Sequence, residues 1–344
     1  MHNIQIQQIP FLSSSEDFHS KMYFAMDEHK VIVLYHKNCN DGFVSAMVMR
    51  NYIQDVVCIP VQYNEGVPKE VMEDDGKFTT LIILDFSFPH ETLNELASKF
   101  RGVFVLDHHK TFIDQIKQVD ESEVRYEWLF SSEENEYAWV SGAKMTYTVM
   151  SAIHGYSGLE MAKLVNLTSR HDTWKHHGNY RDEAFKLQTG LMSLRIGSSD
   201  ADRLKLACEC MRTSPGFFTK LITDAGESII KDNIVHIKKT LMAKAVVTTV
   251  LFNEKAYRVA YCELESRYVS LASQFYHEMF SGIDFNASLD KKERPDQDPV
   301  WVWSLRTTRS DVPLGNIAKS QGGGGHSQAA AFSLKYEPEQ FELK

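Results

Sequence analysis

At 344 residues, 43% hydrophobic and 24% charged, the chain has the balance of an ordinary globular protein with room for two domains, which excludes a fibre or a disordered tail. A net charge of −9, from 37 basic against 46 acidic residues, excludes a protein that coats long nucleic acid, above all long duplex, through a general positive field. A local site for a short anionic substrate stays open, because bound cations reverse the sign of an acidic pocket.

The N-terminal MHNIQIQQIPFLSSSEDF has neither the basic region nor the apolar stretch of a secretory signal, and no apolar run reaches the ~18 residues of a membrane span. A cytoplasmic location with no membrane partner is the expectation. Cys39, Cys58, Cys208, Cys210 and Cys262 are odd in number and scattered, so they read as reduced thiols, with Cys208 and Cys210 a structural pair. FLSSSEDFHSKMYFAM suits a short helix capped by Ser15 and packed over the first sheet.

Next come VIVLYH (31–36), VVCIPVQY (56–63), TLIILD (80–85) and GVFVLD (102–107), short apolar runs rich in branched residues. Helical segments follow the first, GFVSAMVMRNYI, and the third, HETLNELASKF, which opens just past Pro89. Strands alternating with helices predict an α/β domain whose mostly parallel sheet is covered on both faces.

Three of the four runs end on His36, Asp85 and Asp107, and Asp107 continues into His108 and His109. In an open parallel sheet the C-terminal strand ends border one crevice, so these side chains converge there. A single Asp after a strand is an ordinary helix cap or turn former. Several together repel one another unless a cation or proton intervenes. A mixed Asp/His set with no cysteine in the cluster suits a borderline-hard divalent ion, Mn²⁺ first, with Mg²⁺, Co²⁺ or Zn²⁺ as alternatives. Two ions clamping a phosphate and generating a hydroxide between them use such a set economically.

The triplet Asp107-His108-His109, together with a His/Asp motif after the first strand and a lone Asp after a middle strand, resembles the DHH phosphoesterase superfamily. SRHDTW (169–174) is similar to that family's fourth motif, with Asp172 at the last metal-ligating aspartate. Helical spacing in LEMAKLVNLTSRHDTW delivers Asp172 from a helix end into the crevice. The resemblance implies two metals, one on His36, Asp41 and Asp85, the other on Asp85 as a bridge with Asp107, His108 and Asp172. It places His109 by the substrate phosphate, where His109 and Asp107 form the catalytic pair. The first motif, HKNCNDGF (36–43), offers only Asp41 where many members carry two acids. In it Asn38 stands in for a carboxylate or meets substrate, and the longer spacing resembles a subset that includes short-oligonucleotide hydrolases.

Downstream, DADRLKLACECM and GFFTKLITDAGESIIKDNIVHIKKTLMAK are helical and separated by Pro215-Gly216. The second is read as a connector whose Ile222, Ile229, Ile230, Ile234 and Ile237 suit a face packing against both domains. AVVTTVLF, YRVAYCEL, DFNASLD and PVWVWSLR then predict strands around a helix, YVSLASQFYHEMF, with DKKERPDQD an exposed loop. The expected division is a parallel-sheet catalytic domain over 1–195, a helical connector over 196–243 and a smaller α/β domain over 244–344.

Gly322, Gly323, Gly324 and Gly325 allow a backbone to approach a phosphate closely, and a helix beginning at His326 would aim free N–H groups at an anion. The run lacks the Lys-Ser/Thr of a Walker loop and the strand context of a dinucleotide fingerprint. GGGGHSQAAAF instead resembles the glycine-His signature of the DHH-associated C-terminal domain, and SLR with Arg306 resembles its substrate arginine. Ala331 stands where that family has Gly.

These readings predict a phosphodiesterase, with two Mn²⁺ ions expected and Mg²⁺ or Co²⁺ as substitutes. The expected reaction is exonucleolytic hydrolysis of short oligoribonucleotides to mononucleotides. A linear or cyclic dinucleotide phosphodiesterase and a 3′-phosphoadenosine 5′-phosphate phosphatase are the nearest alternatives. A nucleotide sensor without turnover is the alternative of another class. The partner is a short oligonucleotide or dinucleotide, and a homodimer is the assembly considered.

Overall fold

The computed structural model describes residues 12–13, 17–27, 30–53, 55–63, 65–77, 79–131, 139–176, 179–194, 199–294, 297–325 and 328–343. Ser15 and His326, singled out above, lie outside the described residues. The chain divides into two compact units, Met1–His176 with Glu183–Gly226, and His177–Asp182 with Glu227–Lys344. No described helix is long and apolar enough to cross a membrane.

The first unit runs β1 (Leu12–Ser13), α1 (Phe18–Met26), β2 (Lys30–His36), α2 (Asn40–Tyr52), β3 (Val57–Val61), α3 (Lys69–Glu73), β4 (Thr79–Leu84), α4 (His90–Lys99), β5 (Gly102–Asp107), α5 (Lys110–Ile116) and β6 (Glu127–Phe130). Helices α6 (Gly142–His154), α7 (Leu159–Asp172), α8 (Glu183–Ser193) and α9 (Asp200–Thr213) complete it, with the start of α10 (Pro215–Lys244). The sheet order is β1-β6-β5-β4-β2-β3, parallel except for the β1–β6 pair.

Successive residues of a strand point to opposite faces, so a sheet covered on both sides needs apolar side chains at every position. β2 and β4 obey this. Val31, Val33, Tyr35, Ile82 and Leu84 pack into the layer formed by α2, α6 and α7, while Ile32, Leu34, Leu81 and Ile83 pack on the opposite face with Leu93, Leu96 and Phe112. α1 docks through Phe18 and Met22, with the Phe18 ring edge-on to Phe104 of β5 at 5.6 Å. The residue preceding it is Asp17, which makes no side-chain capping bond.

In chain order the strands first step from β2 to β3, then return across β2 to β4. The direction of winding thus reverses between β2 and β4, and such a reversal opens a crevice at the C-terminal strand ends. His36 closes β2 and Asp85 follows β4 at that point.

The second unit takes the rest of α10, then β7 (Val246–Phe252), β8 (Lys255–Glu263), α11 (Val269–Met279), β9 (Phe285–Arg294), β10 (Gln297–Arg306), α12 (Leu314–Ser320), β11 (Gly324–Gly325) and β12 (Ala329–Leu334). Its sheet, β11-β12-β10-β9-β8-β7, is antiparallel apart from β8–β9. Val259, Phe285, Trp303, Leu305 and Phe332 form its core, with the Phe341 ring 4.9 Å from Trp303.

Two expectations are corrected here. DKKER belongs to strand β9, paired with β10 through Lys291↔Trp301 and Arg294↔Gln297, so the charged segment is mostly an antiparallel strand pair with a register shift near Pro299. Lys291, Lys292 and Glu293 are exposed on it, and its charge therefore looks like a loop's. The Ala-rich run after the glycines is strand β12, so no helix N-terminus follows them. Pairing with β10 and β11 outweighs the helix preference of three alanines.

Candidate metal centre

Five segments of the first unit bring the acids and imidazoles together. β2, β4 and β5 are neighbours in the sheet and deliver His36, Asp85 and Asp107-His108-His109; α2 carries Asp41 in its first turn, and α7 carries Asp172 as its last residue. Asp41, Asp85 and Asp107 are each at most 1% exposed, which an ionised carboxylate tolerates only with partners.

Asp107 is held from its own strand end. Its Oδ1 accepts the backbone N–H of His108 at 2.8 Å, that of His109 at 3.1 Å, and the His109 ring Nδ1–H at 2.7 Å. This fixes the His109 tautomer and leaves its Nε2 to face other partners. Asp85 has φ +56°, the left-handed region that costs a non-glycine residue energy, and its backbone N–H donates to Leu106. That backbone turn sets its Oδ1 3.1 Å from His108 Nε2 and its Oδ2 3.6 Å from His36 Nδ1.

Asp41 is clamped by a segment about a hundred residues away. Its Oδ1 accepts from Ser141 Oγ at 2.5 Å and from the Ala143 N–H at 3.1 Å, at the N-terminus of α6 where the helix dipole favours an anion. Gly142 lies between them because a Cβ there would stand 2.8 Å from Asp85 Cβ and 3.0 Å from Asp41 Oδ2. The other oxygen, Asp41 Oδ2, is 3.7 Å from His108 Nε2, and Asp172 Oδ2 is 3.2 Å from the same nitrogen. Three carboxylates therefore surround one imidazole nitrogen.

The protonation pattern follows. Burial, then the Asp85 and Asp172 carboxylates, push Asp41 well above the usual carboxylate range. Asp172 is raised by burial and by Asp85. Burial would raise Asp85 as well, but the His108 hydrogen bond and the charges of the neighbouring imidazoles hold it well below the ordinary value. On His108 burial works downward, and Asp172, Asp85 and Asp41 overcome it to lift the ring well above 6.5. His109 is raised to about 9 by Asp107 against the same burial. Protons alone thus hold an acid cluster together that a divalent cation would neutralise directly.

The orphaned atoms suit metal ions. Among the described residues Asp41 Oδ2, Asp85 Oδ2, Asp107 Oδ2 and His36 Nδ1 are buried with no hydrogen-bond partner, and each is a lone-pair donor to a cation. Ligand-bearing atoms fall in three groups, His36 with Cys39 and Asp85, Asp85 with His108 and His109, and Asp41 with His108 and Asp172, each group within 4.8 Å. Asp85 is shared by two of them. The expectation of a cluster without cysteine is corrected, since Cys39 stands in the first group. All five cysteines are free.

Sequence reasoning also missed the supporting residues. Gln62 Oε1 lies 3.2 Å from His36 Nε2 and accepts the Tyr63 N–H at 3.0 Å, while the Gln62 amide N–H donates to Lys37 O at 3.5 Å. An oxygen so placed makes His36 Nε2 the protonated nitrogen and turns the lone pair of Nδ1 toward Asp85. The Tyr63 ring meets His36 and His109 edge-on, at 5.2 and 6.0 Å. Asn38, at φ +60°, occupies the turn between β2 and α2.

The remaining predicted residues belong to the second unit. Arg306 ends β10; its Nη1 donates to Leu305 O at 2.8 Å, its Nε is buried with no partner among the described residues, and burial lowers it to about 10. Gly323 is required by packing, because a Cβ there would lie 2.1 Å from the Ala331 carbonyl oxygen of β12. Gly322 has φ +78°, and Gly324 and Gly325 are exposed.

No family model matches the chain. An uncharacterized protein of Acanthamoeba polyphaga mimivirus is 31% identical over 91 residues, a match spanning 23% of this chain and 22% of that protein. RecJ of Thermus thermophilus, crystallised in complex with Mn²⁺, superposes with a TM-score of 0.55 at 13% identity over 92% of this chain and 51% of its own. An exopolyphosphatase-related protein from Bacteroides fragilis gives 0.51 at 13% identity, over 93% of this chain and 91% of that one. At these identities the likeness bears on architecture alone, and the chain has the fold of RecJ.

Proposed function

We propose that the chain is a divalent-metal-dependent phosphodiesterase that hydrolyses short oligoribonucleotides to mononucleotides in the cytoplasm. The observation that carries this reading is the set of buried, unpartnered lone-pair atoms on His36, Asp41, Asp85 and Asp107 at the reversal point of a parallel sheet. The fold likeness to RecJ crystallised with Mn²⁺ supports it.

When bound, two divalent ions, Mn²⁺ first, supply Lewis acidity that neutralises phosphoryl oxygens and acidifies water. His36, Asp41 and Asp85 would hold one, and Asp85, Asp107, His108 and Asp172 would hold the other. His109, oriented by Asp107, has Nε2 available to hold or deliver a proton at the leaving oxygen. Asn38 presents an amide to the substrate. Arg306 takes a terminal phosphate bidentately, and the backbone of Gly322, Gly323, Gly324 and Gly325 with His326 takes a sugar or backbone phosphate. The absence of a second acid in the first motif favours one other reading, a nucleotide sensor.

The test is to incubate the protein with short RNAs, linear and cyclic dinucleotides, 3′-phosphoadenosine 5′-phosphate and long DNA, with Mn²⁺ or chelator, and to identify products by mass spectrometry. Mononucleotides from di- to pentaribonucleotides, abolished by chelator, are expected. Release confined to dinucleotides or to phosphate from the bisphosphate would move the substrate assignment. Tight nucleotide binding without any product would replace the enzyme by the sensor.

A further inference from the structure

We infer that the Cys39 sulfur is a direct ligand in the metal position formed with His36 and Asp85, which makes that position selective for softer divalent ions over Mg²⁺. The inference rests on the reading of this cluster as a metal centre and adds to it the chemical class of the ion.

Three observations converge on the sulfur. Cys39 Sγ, a His36 ring nitrogen and an Asp85 carboxylate oxygen lie within 4.8 Å of one another. Two atoms in this corner are otherwise unexplained: Asp85 Oδ2, on a side chain 0% exposed, and His36 Nδ1 are both buried without a hydrogen-bond partner among the described residues and stand 3.6 Å apart. Cys39 is also the N-cap residue of α2, a helix of 13 residues, and its carbonyl accepts the Phe43 N–H at 3.1 Å. Burial and the Asp85, Asp172 and Asp41 carboxylates hold the ion-free Cys39 as a thiol, so it becomes a thiolate only with a cation beside it. The residue is partly exposed.

The donor set decides the preference. One imidazole, one carboxylate and one thiolate make a borderline-soft site, suited to Zn²⁺, Co²⁺, Cd²⁺ and, less tightly, Mn²⁺; Mg²⁺ prefers oxygen alone and keeps its water. The thiolate supplies the negative ligand that the single-acid first motif otherwise lacks. Ligation exchanges an S–H bond for an S–metal bond and releases that proton to water.

The experiment uses the full chain under reducing conditions, loaded with Co²⁺ and followed by near-ultraviolet absorption and equilibrium dialysis. A thiolate-to-cobalt charge-transfer band is expected. It should vanish in Cys39→Ser, and Cd²⁺ affinity should fall at least about tenfold while Mg²⁺ affinity stays within a few-fold. Should Cys39→Ser fail to fold, the wild-type protein gives a second readout. Cd²⁺ should slow alkylation of Cys39, measured by peptide mass spectrometry, at concentrations where Mg²⁺ does not. A wild-type protein that binds Co²⁺ without the band, or a band that persists in Cys39→Ser, overturns the role of Cys39 and leaves the metal centre standing. A protein that binds no Co²⁺ at all overturns both.

Discussion

At the strand ends of the first unit the unpartnered buried atoms are acceptors, on Asp41, Asp85, Asp107 and His36, whereas at the end of β10 in the second unit the unpartnered atom is a donor, Arg306 Nε. Both sites leave polarity unsatisfied where folding alone would have removed it, since a buried polar atom without a partner costs about 1–3 kcal/mol. They differ in how it is maintained. The acid cluster is fixed from several sides, by Ser141 and Ala143 on Asp41, by the Asp107 grip on His109 and by the left-handed turn at Asp85. Arg306 is held by one backbone carbonyl and by burial. A centre built for cations needs rigid geometry because like charges push its ligands apart; an arginine meeting a phosphate needs mainly an open donor face.

The strongest test of this contrast removes the shared acid. Asp85→Ala deletes an oxygen pair common to two of the three ligand groups. Turnover is expected to fall by about three orders of magnitude or more, the scale of losing a central electrostatic contact. Near-ultraviolet circular dichroism should stay native. A folded variant with normal turnover would remove Asp85 from the mechanism.

A second test asks whether protons and ions compete for the cluster. His108 and His109 are raised, His109 to about 9 from an ordinary 6.5, and Asp41 and Asp172 are raised as well. A group whose folded value is raised stabilises the fold below its unfolded value and loses that contribution as pH climbs through the folded one. The ion-free protein should therefore lose thermal stability between about pH 6.5 and 9. Mn²⁺ affinity should rise over the same interval, by up to about tenfold per pH unit for each proton displaced. Melting curves with Mn²⁺ and with chelator across this range check both. A flat chelator series would show that the imidazoles are not charged by their neighbours.

At the other end of the comparison, Arg306→Ala should raise KM about 10- to 100-fold for substrates bearing a terminal phosphate, with kcat nearly unchanged, as for loss of one charge-assisted contact. Substrates without that phosphate should be insensitive. Unchanged KM with a lowered melting temperature would make Arg306 a packing residue.

How far the sequence disclosed these two sites depends on the range of the interactions. His36, Asp85 and Asp107 are visible because each ends an apolar strand, and Asp172 because helical spacing sets it at a helix end. Ser141 and Ala143 left no local sign: their bonds to Asp41 exist only because α6 packs beside α2, a tertiary fact. The Ala-rich run reads as helical for a similar reason, since AAAF becomes a strand through partners on β10 and β11. Cys39 reads in the sequence as one of several scattered thiols, although it sits inside the motif that carries His36 and Asp41. Gln62 did leave a sign, a polar residue directly after β3, the fourth parallel strand end.

Gln62 gives the smallest and most discriminating test, because it touches no proposed ligand atom other than through His36. Its carbonyl oxygen receives the His36 Nε2–H, and its own amide is pinned by the Tyr63 N–H and the Lys37 carbonyl. Gln62→Leu keeps the bulk and removes the acceptor, so His36 can rotate or carry its proton on Nδ1, the nitrogen that faces Asp85. An outer partner of this kind is worth about 10- to 100-fold in metal affinity, and the modest 3.2 Å contact argues for the lower figure. Metal affinity should therefore fall about tenfold, restored in part by Gln62→Glu, whose carboxylate accepts the same hydrogen bond. Equal affinities in all three proteins would mean that His36 is oriented by packing against Tyr63 and Phe86 alone, and that the rigidity ascribed to the acid cluster does not extend to its first imidazole.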